Sequence, residues 1–258
     1  MQHSNYQSIT NATMNIENQT EIKFSLGPDR EVELAFAPGV FTPNTTTTLL
    51  IQAVKNTISA PATLLDLGCG TGVVGLALHF QGLIKTPLYA SDLSKPAVQC
   101  SRVNFGRYDC AAEVRDGSLF EPWQDKKFDV IVDDISGIAQ RVADVSPWFQ
   151  GVPCDTGDDG VDLVVEIIRK APQHLNKGGS FFFPVLSLSN VDKLLQVAKE
   201  CFGTVERVGR QDWPLPAELK SHLPLLRKLQ AEGSIKLEEK FGMVLCYTEA
   251  YCATNPLY

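Results

Sequence analysis

Between Leu64 and Gly72 the chain reads Leu-Leu-Asp-Leu-Gly-Cys-Gly-Thr-Gly, an apolar strand that runs into a helix through three glycines at alternate positions. Glycine takes left-handed backbone angles and lets a ligand approach the main chain, while the following helix offers unpaired N–H groups at its start. Such a strand, turn and helix form the first half of a βαβ unit, which demands a parallel sheet. Asp92 closes the next predicted strand, twenty residues after Gly72, where a carboxylate accepts hydrogen bonds from both ribose hydroxyls. Together the turn and the acid describe a nucleoside site.

Downstream, short apolar runs alternate with helical patterns, so the expected fold is α/β with a mostly parallel sheet. Strands are predicted at 63–67, 87–91, 112–115, 128–133 and 179–185, and helices at 72–81, 95–105, 161–172 and 191–201. Two further strands, 204–209 and 243–251, flank a helix over 217–230 that Gly233 stops, which predicts an antiparallel terminal pair. Upstream, strands at 21–24 and 32–36 join through Gly27-Pro28-Asp29, and a helix runs from Asn44 or Thr45 to Thr57. The chain therefore divides into an N-terminal extension, 1–60, and a catalytic domain, 61–258.

A net charge of −7 over 258 residues argues against adhesion to nucleic acid or an anionic membrane, so neither is expected as a partner. No apolar run suits a membrane helix, and the polar start lacks the pattern of a secretion signal, which predicts a cytoplasmic protein. Seven cysteines without a C-x-x-C pair and four scattered histidines predict neither disulfides nor a metal site. Leu219, Leu223, Leu226 and Leu229 recur at helical spacing, either as a homodimer surface or as a face packed on their own domain.

Gly70-x-Gly72-x-x-Gly75 also satisfies the dinucleotide fingerprint. Asp66 separates the two readings, because an acid there is awkward beside a pyrophosphate and suits a cationic, methionine-like tail. The acid-x-Gly-x-Gly-x-Gly turn resembles the first motif of the class I S-adenosylmethionine-dependent methyltransferases, over about residues 37–249. The resemblance implies a Rossmann-like seven-stranded fold and S-adenosylmethionine as cofactor, held by Asp66, Gly68, Cys69, Gly70, Gly72, Asp92 and Leu93. Cys69 reads as small filler in the turn, with no basic partner nearby to activate its thiol.

Several segments are similar to the HemK-type, release-factor glutamine methyltransferases. Pro38-Gly39-Val40-Phe41-Thr42-Pro43 resembles the segment lining the methionine end of the cofactor, which implicates Thr42 and, as a pocket wall, Phe41. Gly117-Ser118-Leu119-Phe120 resembles the turn that holds the adenine, with Ser118 in place of the family's Asp and Asp116 as its substitute. Residues 157–162 and the Gly178-Gly179 turn match later family segments.

The fourth strand's exit departs from the family. Where the family has Asn-Pro-Pro-Tyr, this chain has Asp134-Ile135-Ser136-Gly137, preceded by Asp133. Without the prolines and the aromatic ring, recognition of a planar glutamine amide is not carried over. Asp133 and Asp134 instead stand as candidate catalytic carboxylates, with Asp134 placed in the pocket by register. The alternative role is a hydrogen bond to the turn backbone. Ile135, Ser136, Trp148 and Phe149 are expected around the substrate, the last three in a long loop that either lids the site or anchors on the core.

Three functions follow from this reading. One is S-adenosylmethionine-dependent methylation of an amine, hydroxyl or carbon on a small molecule or peptide. Another is intramolecular cyclisation of S-adenosylmethionine to azetidine-2-carboxylate with release of methylthioadenosine. The third is a non-catalytic binding module.

Overall fold

Five parallel strands carry the glycine turn at their carboxyl end. The structure, a computed structural model, describes residues 20–27, 30–135, 137–146, 148 and 156–257. A hairpin of β1 (Thr20–Gly27) and β2 (Arg30–Phe36) precedes α1 (Thr45–Thr57). The core begins with β3 (Leu64–Leu67), α2 (Val73–Phe80), β4 (Leu88–Asp92), α3 (Lys95–Arg107), β5 (Ala112–Asp116) and β6 (Phe128–Asp133). It continues with α4 (Gln140–Ala143), α5 (Asp162–Lys170), β7 (Leu175–Leu186), α6 (Val191–Cys201) and β8 (Phe202–Pro214). The chain closes with α7 (Ala217–Lys220), α8 (Leu223–Ala231), β9 (Glu238–Lys240) and β10 (Met243–Pro256).

The main sheet runs β5-β4-β3-β6-β7-β10-β8, with β9 on the end of β10. β10 is antiparallel to both β7 and β8, as the terminal pair predicted. Successive residues of a strand face opposite sides, and here both sides are apolar. Leu64, Val130 and Phe182 join one core with Leu50, Val74 and Leu76, while Leu65, Ile131 and Phe181 join a second with Ile167, Ile168 and Leu194. Hence α1 and α2 cover one face and α5 and α6 the other. Burial on both faces explains why these strands read as unbroken apolar runs.

The hairpin forms its own two-stranded sheet, buries Val32 and Leu34 in the first core, and is tied to the glycine turn by a buried amide. Asn104, on α3, accepts from the Ala35 N–H (2.7 Å) and donates to the carbonyls of Ala35 (3.1 Å) and Thr71 (2.9 Å). Its amide thus ties β2 to the glycine turn. α1 packs against β7, β8 and β10 and starts with a capping box, in which the Asn44 side chain accepts from the Thr46 N–H and Thr47 Oγ1 accepts from the Asn44 N–H.

The last third departs from expectation. The helix predicted over 217–230 is two, α7 and α8, because Pro224 cannot donate within a continuous helix and takes up the start of the second. Leu219, Leu226 and Leu229 are buried against Ile138, Leu188 and Ile235, so these leucines pack on their own domain. β9 was not expected, and β8 and β10 run well past their predicted ends. Their polar residues are carried by pairing: buried Glu249 accepts from Arg207 (2.7 Å), Arg210 (2.9 Å) and the Tyr251 hydroxyl (2.8 Å). Among the described residues no helix is long and apolar enough to cross a membrane.

Candidate active site

The turn between β3 and α2 is built by two different demands on glycine. Gly68 (φ +67°) lies under Ile135, and a Cβ there would stand 2.3 Å from the Ile135 Cγ1. Gly70 (φ +53°) has nothing within 4 Å of such a Cβ and opens on a cavity. Behind the turn, Asp66 accepts from the Gly75 N–H (3.0 Å) and so clips the strand to the first turn of α2. In front, Asp92 accepts from the N–H groups of Gly70 (2.9 Å) and Ser94 (2.8 Å), which fixes its carboxylate beside the turn.

The cavity these groups surround measures about 480 Å³, within the range of small-molecule sites. Gly68, Cys69, Gly70, Asp92, Leu93, Gly117, Ser118, Phe41, Asp134 and Ile135 all line it. Others named from the sequence stand elsewhere. Asp66 and Asp133 are fully buried behind the wall, and Gly72 is a packing position whose Cβ would meet Phe105 at 2.7 Å. Asp116 is exposed at the end of β5 and does not line the cavity, so it does not replace the family's adenine-binding acid. Thr42 faces a neighbouring cavity. Burial pushes the Cys69 thiol well up, consistent with inert filler.

At the exit of β6 the two carboxylates part. Asp133 accepts from the Ile135 N–H (2.9 Å), an Asx turn that sets the direction of the following residues. Asp134 points into the cavity wall and accepts from the Thr47 hydroxyl at 2.7 Å. Desolvation raises all three acids of this cluster: Asp134 to about 7, held down somewhat by the Thr47 hydrogen bond, Asp66 to about 8, and Asp133 well above the ordinary range. Asp66 Oδ1 and Asp133 Oδ2 are buried without a hydrogen-bond partner. Burial holds Asp66 and Asp133 in their protonated forms near neutral pH, and a cation placed beside them favours ionisation. An ammonium and sulfonium lying against the turn, a ribose at Asp92 and a base near Ser118 therefore fit this wall.

A second cavity, of about 690 Å³, shares Gly39, Val40, Phe41 and Pro43 with the first. Trp148 lines it, packed edge-on against Trp213 with ring centroids 5.8 Å apart. Of the two roles open to it, lid or anchor, Trp148 takes no place on the cofactor cavity and instead packs on Trp213. Ser136 and Phe149 lie outside the described residues. Sequence reading missed Thr47, Asn104 and Trp213. The first hides in a run of four threonines, and the others act on partners far away in the chain.

The methyltransferase small domain family model matches residues 31–134, a span that holds the glycine turn, Asp92 and Asp134. Over that span the chain is similar to the HemK-type members of the class I S-adenosylmethionine-dependent methyltransferases. It is 29% identical over 168 residues to the release factor glutamine methyltransferase of Geobacter sulfurreducens, covering 61% of this chain and 58% of that protein. It is also 29% identical over 179 residues to ribosomal RNA small subunit methyltransferase C of Haemophilus influenzae, covering 67% of this chain and 47% of the other. The chain therefore spans about half the length of the curated relatives it matches. In fold it is similar to a T. thermophilus 16S rRNA methyltransferase solved with AdoMet and guanosine, with a TM-score of 0.60 at 16% identity, over 92% of this chain and 50% of that one. S-adenosylmethionine is the family's cofactor, and the first cavity is where the residues fit it. Relatives named for ribosomal RNA and release factors overturn the expectation that nucleic acid lies outside this chain's sphere. Net charge misled there, because a sum over the whole chain does not describe a local surface.

Proposed function

We propose that the chain transfers the methyl group of S-adenosylmethionine to an amine or hydroxyl of a macromolecular acceptor, with Asp134 as proton acceptor. Residues 1–60 are then an extension that completes the site of the 61–258 core. The reading rests on Asp134, an acid near neutrality on the wall of the cofactor cavity, oriented by Thr47. When bound, the cofactor supplies a methyl on a cationic sulfur that departs as a neutral thioether. The protein's own tasks are to hold that sulfur against the glycine turn, to align the nucleophile, and to take its proton. A base poised near pH 7 suits an amine or hydroxyl, whose proton must leave as the new bond forms, and Asp134-Ile135-Ser136-Gly137 lacks the prolines and the ring that hold a planar amide. This favours a different acceptor group from the family's glutamine.

The second cavity supports an intermolecular reaction, since it offers an acceptor its own place beside the cofactor cavity. The cyclisation alternative called for Asp134 in the pocket with Trp148 and Phe149 to close it over a single substrate; Trp148 lines the second cavity instead, and Phe149 lies outside the described residues. The test is transfer of isotope-labelled methyl from S-adenosylmethionine into the protein and RNA fractions of a cell extract. Labelled macromolecule is expected, falling by a factor on the order of a hundred or more with Asp134→Asn. Label that is unaffected by the substitution removes Asp134 from the mechanism, and bound but unconsumed cofactor counts against methyl transfer.

A further inference from the structure

We infer that the second cavity is a recognition pocket for an aromatic side chain of a protein acceptor, seated beside the group to be methylated. The inference rests on the methyl-transfer reading for its purpose, and on the pocket's own chemistry for its occupant. Phe36, Phe41, Trp148 and Trp213 give it four aromatic walls, and Leu186 and Ile138 add aliphatic ones. Its polar lining consists of Asn44, Thr248 and neighbouring threonines, with no Asp, Glu, Lys or Arg among the described lining residues. A charged head or a phosphate would be desolvated there without a counter-charge, which is costly. A neutral ring would not.

The walls favour a ring over an aliphatic chain. Trp148 and Trp213 meet at 78°, forming a corner in which a third ring can lie flat against one and edge-on to the other. Trp213 is held in place by its N–H, which donates to the Thr248 hydroxyl (3.4 Å), and by β8, on which it sits. Trp148 keeps 36% of its surface open, so the corner is reachable. The cavity abuts the cofactor cavity along Gly39 to Phe41, which places an occupant one wall away from Asp134. Two of the three tryptophans of the chain stand here, and the third, Trp123, is fully buried elsewhere. Tryptophan emission therefore reports on this pocket.

The whole protein, saturated with S-adenosylhomocysteine, is titrated with N-acetyl-phenylalaninamide and N-acetyl-tyrosinamide while tryptophan emission is followed at the red edge, where tyrosine is silent. N-acetyl-leucinamide and guanosine monophosphate serve as comparisons. Saturable changes with the two aromatic amides are expected, at least several-fold tighter than with the leucine probe. Trp213→Ala and, separately, the more exposed Trp148→Ala should each weaken them by about tenfold. Tighter binding of the nucleotide overturns the inference in favour of a base pocket, and equal binding of the leucine probe reduces it to a plain apolar hollow. Absence of saturation with every probe also overturns it. Calorimetry with S-adenosylhomocysteine alone separates the two readings: aromatic binding without cofactor binding sinks the methyl-transfer reading and leaves the pocket.

Discussion

Thr47 governs when Asp134 can act. Its hydroxyl donates to the carboxylate and so stabilises the charged form, working against the desolvation that raises Asp134 to about 7. Removing that donor raises the acid further, and a base that must be ionised then works only at higher pH. For Thr47→Val the rising limb of the kcat/KM profile is expected to move to higher pH, by about one pH unit. Thr47→Ser should restore it. The hydroxyl also accepts from the Asn44 N–H, so the valine variant should lose about 1 kcal/mol of stability as well, read by thermal unfolding. An unmoved pH profile would reduce Thr47 to a cap. Asp134 was legible in the sequence because it falls at a fixed register after a recognisable strand. Thr47 was not, because four identical residues make up the first turn of α1 and only the helix phase, set by the Asn44 cap, selects the one that reaches a carboxylate 87 residues away.

The β3–α2 turn and the β1–β2 hairpin show how elements support the site. Gly68 and Gly70 both have positive φ, so alanine strains the backbone at either, by about 1–2 kcal/mol. Beyond that the two differ. Gly68→Ala drives its methyl into Ile135, so a further stability loss is expected, and Ile135→Ala in the same chain should recover part of it. Gly70→Ala meets no protein atom and stands on the wall of the first cavity, where the proposed cofactor would bind. Its loss should appear mainly as weaker S-adenosylhomocysteine binding in calorimetry. At the hairpin, Asn104→Leu leaves the main-chain groups of Ala35 and Thr71 without their buried partner. It should cost about 2–5 kcal/mol and weaken cofactor binding through the turn. The parallel core could be read in advance because strands buried on both faces are apolar throughout. The terminal region could not. β10 contains buried Glu249 and Thr248, whose polarity disguises a strand that is stabilised by pairing on both sides.

Across the whole molecule, the buried acids couple folding and cofactor binding to pH. Asp66 lies near 8 in the folded chain and near 4 when unfolded, so the folded state retains a proton that the unfolded state releases between those values. Stability from this group is full below about pH 4 and is lost as pH rises through 8. Asp92 and Asp134 press in the same direction on Asp66, and Asp134 and Asp66 do so on Asp133. The cofactor-free protein should thus show a melting temperature that declines from acid toward pH 8, and Asp66→Asn should flatten part of that slope. A cation at the turn reverses the balance by favouring the ionised acids. Binding of S-adenosylmethionine near neutral pH is then accompanied by proton release. S-adenosylhomocysteine, which keeps the ammonium but lacks the sulfonium charge, should release fewer protons. Calorimetry in two buffers of different ionisation enthalpy measures the difference directly. Heats independent of buffer for both ligands would mean that the acids do not feel the cofactor's charge, and the reason for an acid at the end of β3 would have to be sought in the Gly75 hydrogen bond alone.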